Sequence, residues 1–152
     1  MGWVEALRGK VVCMDTTPLI YYMEDRPIYA DMLEPVFQAA TRGEVAIKTS
    51  MITWLEVLVL PVRNGDGELA KKYRNMLFHT EGLTTLSISR EIIEQAARLR
   101  AFHQNLRTPD AIQVATAIHV GAPFFLTNDV RLSSISELSV LVLDKLRTEP
   151  AS

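Results

Sequence analysis

Apolar and polar positions repeat with two different periods along this chain, and the switches between those periods mark out its elements. The run "KVVCM" at 10–14 reads as a short strand that stops abruptly at "DTTP", where Thr17 and Pro18 look like a helix cap and a first helical residue. Two short helical stretches follow over 18–41, parted near "DRP", and "EVAIKTS" then reads as a second strand. Helical segments are expected at about 51–61 and 67–80, followed by a strand at "LTTLSI". "SREIIEQAARLRAFHQ" has a Ser cap and carries Ile92, Ile93, Ala96 and Leu99 at helical spacing. "RTPDAIQVATAI" opens another helix, with Thr108 as cap, Pro109 at the first helical position and Asp110 in the first turn, where the helix dipole favours an acid. "PFFLT" and "LSVLVL" complete the set. Strands separated by helices in five rounds imply a parallel sheet with helices on both faces, a three-layer α/β/α sandwich.

The 152 residues, 48% hydrophobic and 22% charged, suit one well-buried domain spanning 1–152 with a core over about 10–143. A net charge of -2 gives no global pull toward nucleic acid or acidic membranes, so any such contact must be local. Cys13 is the only cysteine and sits in an apolar run, which predicts a buried strand position and a reducing compartment. The start "MGWVEALRGK" lacks the apolar stretch of a signal peptide, and "MITWLEVLVLPV" is too short to span a bilayer and carries Glu56 at its centre. A cytoplasmic protein is expected, with no membrane partner.

In an open parallel sheet, ligands bind beyond the carboxyl ends of the strands, where the strand order reverses. Asp15 follows "VVCM" and Asp129 follows "FFLTN", so both lie on that rim if their strands are neighbours. Helices also start there, which brings in Asp110. Glu56 is the fourth acid: it stands in a segment apolar nearly all round, where a carboxylate is costly to bury unless paired, protonated or on a metal. Clustered oxygen ligands without His or Cys suit a hard divalent cation, Mg²⁺ or Mn²⁺, which activates water for attack on phosphorus.

With these motifs in view, the chain resembles the PIN-domain family of metal-dependent ribonucleases, and within it the single-domain VapC-type toxins, over about Lys10 to Leu143. The motifs are "MDTTPLI", "TSMITWLEVL", "TPDAIQVATAI" and "FLTNDVRL", in the family's order and spacing. The resemblance implies Asp15, Glu56, Asp110 and Asp129 as a catalytic, metal-binding quartet, with Thr16 and Thr127 as supporting hydroxyls. It further implies a five-stranded parallel sheet between the helices, RNA cleavage leaving a 5′-phosphate and a 3′-hydroxyl, homodimers, and inhibition by a cognate antitoxin. The extra start "MGWVEALRG" departs from relatives, which usually begin near the first strand.

Other readings have footholds. "GDGELA" at 65–70 matches the dinucleotide pattern G-x-G-x-x-A, but Pro61 does not suit a central strand and an Asn-Gly-Asp-Gly turn explains the glycines. "GK" at 9–10 lacks the spacing of a phosphate loop, and His79, His103 and His119 show no ligand spacing. A phosphoaspartate at Asp15 with Lys145 after the last strand leaves Glu56 and Asp110 without a role. A housekeeping nuclease, or a silent binding module of the same fold, stays open. For RNA contacts the candidates are Arg26, Arg63, Arg107 and Arg131, whose segments can border the rim. The helix at 51–62 must be buried in the core or against another chain, and the polar helix after it pairs with it poorly, so the two are expected to form a dimer or antitoxin surface.

Overall fold

The computed structural model describes residues 2–147. Each apolar run becomes a strand of four or five residues: β1 Val11–Met14, β2 Ala46–Ser50, β3 Leu83–Leu86, β4 Phe124–Thr127 and β5 Ser139–Val142. Between and after them lie α1 Thr16–Met23, α2 Tyr29–Thr41, α3 Ile52–Arg63, α4 Gly67–His79, α5 Arg90–Phe102, α6 Thr108–His119 and α7 Leu143–Leu146. All strand pairs are parallel, in the order β3-β2-β1-β4-β5.

The two-residue period of β1 and β4 divides the interior. Val12, Met14 and Leu126 pack with Leu33, Phe37, Val57 and Leu77 from α2, α3 and α4. Cys13 and Phe125 point the other way, to Ile92 and Leu99 of α5 and Ala111 and Ala115 of α6. The expected three-layer sandwich therefore forms because successive side chains leave opposite faces of the sheet. Burial pushes the Cys13 thiol up to about 12, so it stays protonated as a core residue. Gly82, at φ +84°, enters β3 so close to the Ala40 carbonyl that a Cβ there would lie 2.4 Å from its oxygen.

The strand order reverses between β1 and β4, which are neighbours in register Met14↔Leu126. That opens a crevice at their carboxyl ends.

Several local expectations shift. Thr17 does not cap α1: Asp15 does, its Oδ1 accepting from the Thr16 N–H at 2.9 Å, and the helix starts two residues earlier than Pro18. Thr108 does not cap α6 either, because its hydroxyl accepts from Arg100 Nη1 at 2.9 Å while Arg107 holds the cap position without a side-chain bond. Ser89 does cap α5, accepting from the Ile92 N–H at 3.2 Å, but Ile93 turns outward. "EVLVLPV" is helical, and Asp66 caps α4 by accepting from the Leu69 N–H at 3.1 Å, so the glycines at 65 and 67 serve a helix–helix turn and no strand precedes them. The start of the chain adds a 3₁₀ turn, Glu5–Leu7, that buries Leu7.

Contrary to expectation, α4 does pair with α3, through an edge-to-face contact of Trp54 and Phe78 at 5.5 Å. The outer row of α3 still stays uncovered, with Leu55 60% and Val62 71% exposed beside Val59 and Leu60.

Candidate active site

Asp15 is the first residue beyond β1, and its N–H donates to the Leu126 carbonyl at 2.9 Å, which ties it to the end of β4. Its Oδ2 accepts from the fully buried Thr127 hydroxyl at 2.8 Å, and Oδ1 from the Thr16 N–H. The carboxyl is nevertheless pushed up from 3.8 to about 6, first by burial, against the lowering effect of those two bonds, with Asp110 and Glu56 adding like-charge repulsion. Asp15 thus feels two other carboxylates at one point of the rim.

Glu56, one turn and a half into α3, is held by a single strong contact: its Oε1 accepts from the Thr16 hydroxyl at 2.6 Å. Behind Thr16 lies a buried polar cluster that the sequence reading missed. The Gln113 amide donates to the Thr53 hydroxyl at 2.6 Å and to the Thr16 hydroxyl at 3.2 Å, and its oxygen accepts from the Ser50 N–H at 3.4 Å. Thr49 donates to the Met14 carbonyl at 2.8 Å, leaving Thr53 one proton to share between Thr49 at 2.9 Å and Thr16 at 3.0 Å. With nearly every donor and acceptor used, the cluster sets the direction of the Thr16 hydroxyl and hence of Glu56. A signal for it existed: Gln113 is a long amide in the stretch 111–118, which is otherwise built of Ala, Ile, Val and Thr.

Asp110 sits in the first turn of α6 with its carboxylate only 13% exposed. Its Oδ2 is buried without a hydrogen-bond partner; Arg107 Nε at 3.6 Å and Arg131 Nη2 at 3.9 Å attract it from beyond bonding distance. Asp129 is engaged differently. Its two oxygens accept from Arg131 Nε at 3.0 and 3.2 Å and from Nη2, while its N–H donates to the Thr127 hydroxyl at 3.1 Å. The Arg131 guanidinium holds the Asp129 carboxyl below its usual value of 3.8.

The four arginines separate. Arg107 and Arg131 stand at the acids. Arg26 reaches the same end of the sheet indirectly, lying 5.6 Å from the Tyr21 ring, whose hydroxyl accepts from Asn128 beside Asp129 at 3.3 Å. Arg63 ends α3 among Leu55, Leu58, Val59 and Val62, about 10 Å of helix beyond Glu56, and among the described residues no hydrogen bond or ion pair joins it to the acids.

Among the described residues, no three acidic, histidine or cysteine side chains are drawn together closely enough to enclose an ion. The donor chemistry still fits a hard divalent cation. Asp110 offers a buried oxygen with no partner, and Asp15 is a carboxylate whose charge is disfavoured first by burial and then by two neighbouring acids, a defect that positive charge repairs.

The PIN domain model matches residues 12–138. The chain belongs to the PIN domain family. Solved structures sharing the fold of this PIN domain include a toxin-antitoxin complex from Klebsiella pneumoniae, 26% identical, covering 87% of this chain and 97% of the other with a TM-score of 0.64. VapBC2 from Rickettsia felis, bound to a DNA fragment from its promoter, is 19% identical over 87% of this chain and 98% of the other, with a TM-score of 0.69. VapBC-1 from nontypeable Haemophilus influenzae is 19% identical over 88% and 98%, with a TM-score of 0.64. No curated protein matches the chain. No helix of this PIN domain, among the described residues, is long and apolar enough to cross a membrane.

Proposed function

We propose that the chain is a metal-dependent endoribonuclease of the cytoplasm, the toxin of a toxin-antitoxin pair, using Mg²⁺ or Mn²⁺. The observation that carries this reading is the buried Asp15 carboxylate at the β1–β4 switch point, within electrostatic reach of Asp110, one of whose oxygens is buried without a hydrogen-bond partner. Asp15, Asp110, Asp129 and Glu56 would hold a divalent cation, which would supply Lewis acidity to acidify water and offset charge on the phosphate. The chain's own residues supply position. Thr127 fixes one oxygen of Asp15 and the Thr16 N–H the other. Thr16 orients Glu56 through Oε1, leaving Oε2 to accept a proton from the attacking water.

RNA contacts are local, since the net charge is -2: Arg107 and Arg131 flank the acids, and Arg26 lies over Tyr21 near the same rim. Binding by such contacts weakens steeply with salt, and a cleavage rate insensitive to salt would count against them.

The Klebsiella pneumoniae structure that shares the fold is a toxin-antitoxin complex, which supports an antitoxin partner here. The uncovered apolar row of α3, Leu55, Val59 and Val62, is assigned to a second copy of the chain. Sedimentation then finds a dimer for the wild type and a monomer for Val59→Glu; a monomeric wild type sinks the assignment.

The functional test is induced expression in a bacterial host of wild type beside Asp15→Asn. Arrest by the wild type alone is expected. Equal arrest by both removes the metal mechanism, and no arrest by either favours a housekeeping nuclease or a binding module.

A further inference from the structure

Arg131 stands where two acids would otherwise be brought to a cation. Its Nε bonds both oxygens of Asp129, at 3.0 and 3.2 Å, and the same guanidinium reaches 3.9 Å from the orphaned Oδ2 of Asp110. Arg107, 3.6 Å from that same atom, adds charge without bonding it. The two carboxylates assigned to one cation are therefore bridged by a positive group of the chain itself, and Asp129 has both oxygens committed to it. A guanidinium fork matches a carboxylate as closely as any partner in a protein, so this contact competes with an ion for the same lone pairs.

The contact is also built to be released. The Arg131 side chain is 48% exposed, so it can leave for solvent without opening the core. What fixes Asp129 otherwise is separate: its N–H on the Thr127 hydroxyl, and its Oδ1 accepting from the Arg131 N–H at 3.0 Å, a bond from the main chain that any residue but proline supplies at 131.

Resting on the metal-dependent reading above, we infer that Arg131 is an internal stand-in for the cation. It binds Asp129 and offsets the charge of Asp110 in the metal-free protein, must leave for the ion to enter, and once displaced remains at the rim to hold a phosphate of the RNA. The same side chain thus opposes metal binding and favours substrate binding, two effects that a purely structural arginine would not split.

The test is a titration of the purified full chain with Mn²⁺ alone, followed by calorimetry and by the loss of free Mn²⁺ signal in electron paramagnetic resonance. Arg131→Gln is expected to bind Mn²⁺ about tenfold more tightly than wild type, because a positive charge a few ångströms from a dication is removed along with its bonds. Arg131→Lys, which keeps the charge but loses the fork, should fall between them. In the same Arg131→Gln protein, affinity for a single-stranded RNA in Ca²⁺ should weaken several-fold and its salt dependence should become shallower. Equal Mn²⁺ affinity in wild type and Arg131→Gln overturns this inference alone. Absence of Mn²⁺ binding in both overturns it together with the metal-dependent reading. Tighter Mn²⁺ binding with unchanged RNA affinity overturns the second half, the transfer of Arg131 to phosphate.

Discussion

Replacing Asp15 with asparagine should make the folded chain more stable at neutral pH in the absence of divalent cations, although it removes the residue on which the proposed activity depends. The Asp15 carboxyl is pushed from 3.8 up to about 6, chiefly by burial. The folded state therefore holds this proton more tightly than the unfolded chain does. Its contribution is most favourable below about pH 3.8, declines as pH rises toward 6, and stays low above that. A gap of about two pH units, at about 1.36 kcal/mol each, sets the penalty at about 3 kcal/mol near pH 8. Asparagine is spared that penalty and keeps a carbonyl for Thr127, but it loses one acceptor, which costs about 1 kcal/mol. The net gain is about 2 kcal/mol, or about 4 to 8 °C in Tm for a chain of this size. At pH 4.5 the linkage penalty falls to about 1 kcal/mol and the two proteins should be near parity. Urea and thermal unfolding in EDTA at both pH values check this. An Asp15→Asn protein that is less stable than wild type at pH 8, or a difference that does not change with pH, would refute the reasoning. Saturating Mn²⁺ should reverse the order, because only the wild type gains from binding.

Two further outcomes follow from the polar cluster behind the site. Gln113→Leu removes donors from Thr16 and Thr53 and an acceptor from Ser50, and should lower stability by about 2 to 4 kcal/mol in urea unfolding; a loss below about 0.5 kcal/mol would mean the cluster is not satisfied as described. Thr127→Val keeps the shape but removes the hydroxyl that lowers the Asp15 carboxyl, so carbon-detected NMR should find Asp15 titrating clearly above about 6; an unchanged midpoint would sever Thr127 from the site.

How much of this could be read in the chain depends on which interactions follow from local pattern. The strand runs end at Asp15 and near Asp129, and the alternation of strands and helices makes the sheet parallel, so both acids lie at carboxyl ends; that β1 and β4 are neighbours is set by the strand order, which alternation alone leaves open. Asp110 was legible for the same reason, through the helix start that aims it. Helix caps were less so: Thr17, Thr108 and Asp15 are all capping residue types within a residue or two of a boundary, and only tertiary contacts such as Arg100 on Thr108 decide among them. The apolar character of α3 announced a surface to be covered but not which side; Val57 and Pro61 turn inward while Leu55 and Val62 are left outside. Arg131 was legible as a cation near the rim and not as a ligand of Asp129, because that contact depends on the 3₁₀ turn that begins at Val130.

The most direct test of the central claim is cleavage of a mixed-sequence single-stranded RNA pool by the purified chain, in Mn²⁺ and in EDTA, with wild type beside Asp15→Asn and the new ends mapped. The account predicts cuts with 5′-phosphate ends by the wild type in Mn²⁺, none in EDTA, and a rate lower by about 100-fold or more for Asp15→Asn. Cleavage that persists in EDTA, or that proceeds at the wild-type rate with Asp15→Asn, would contradict it.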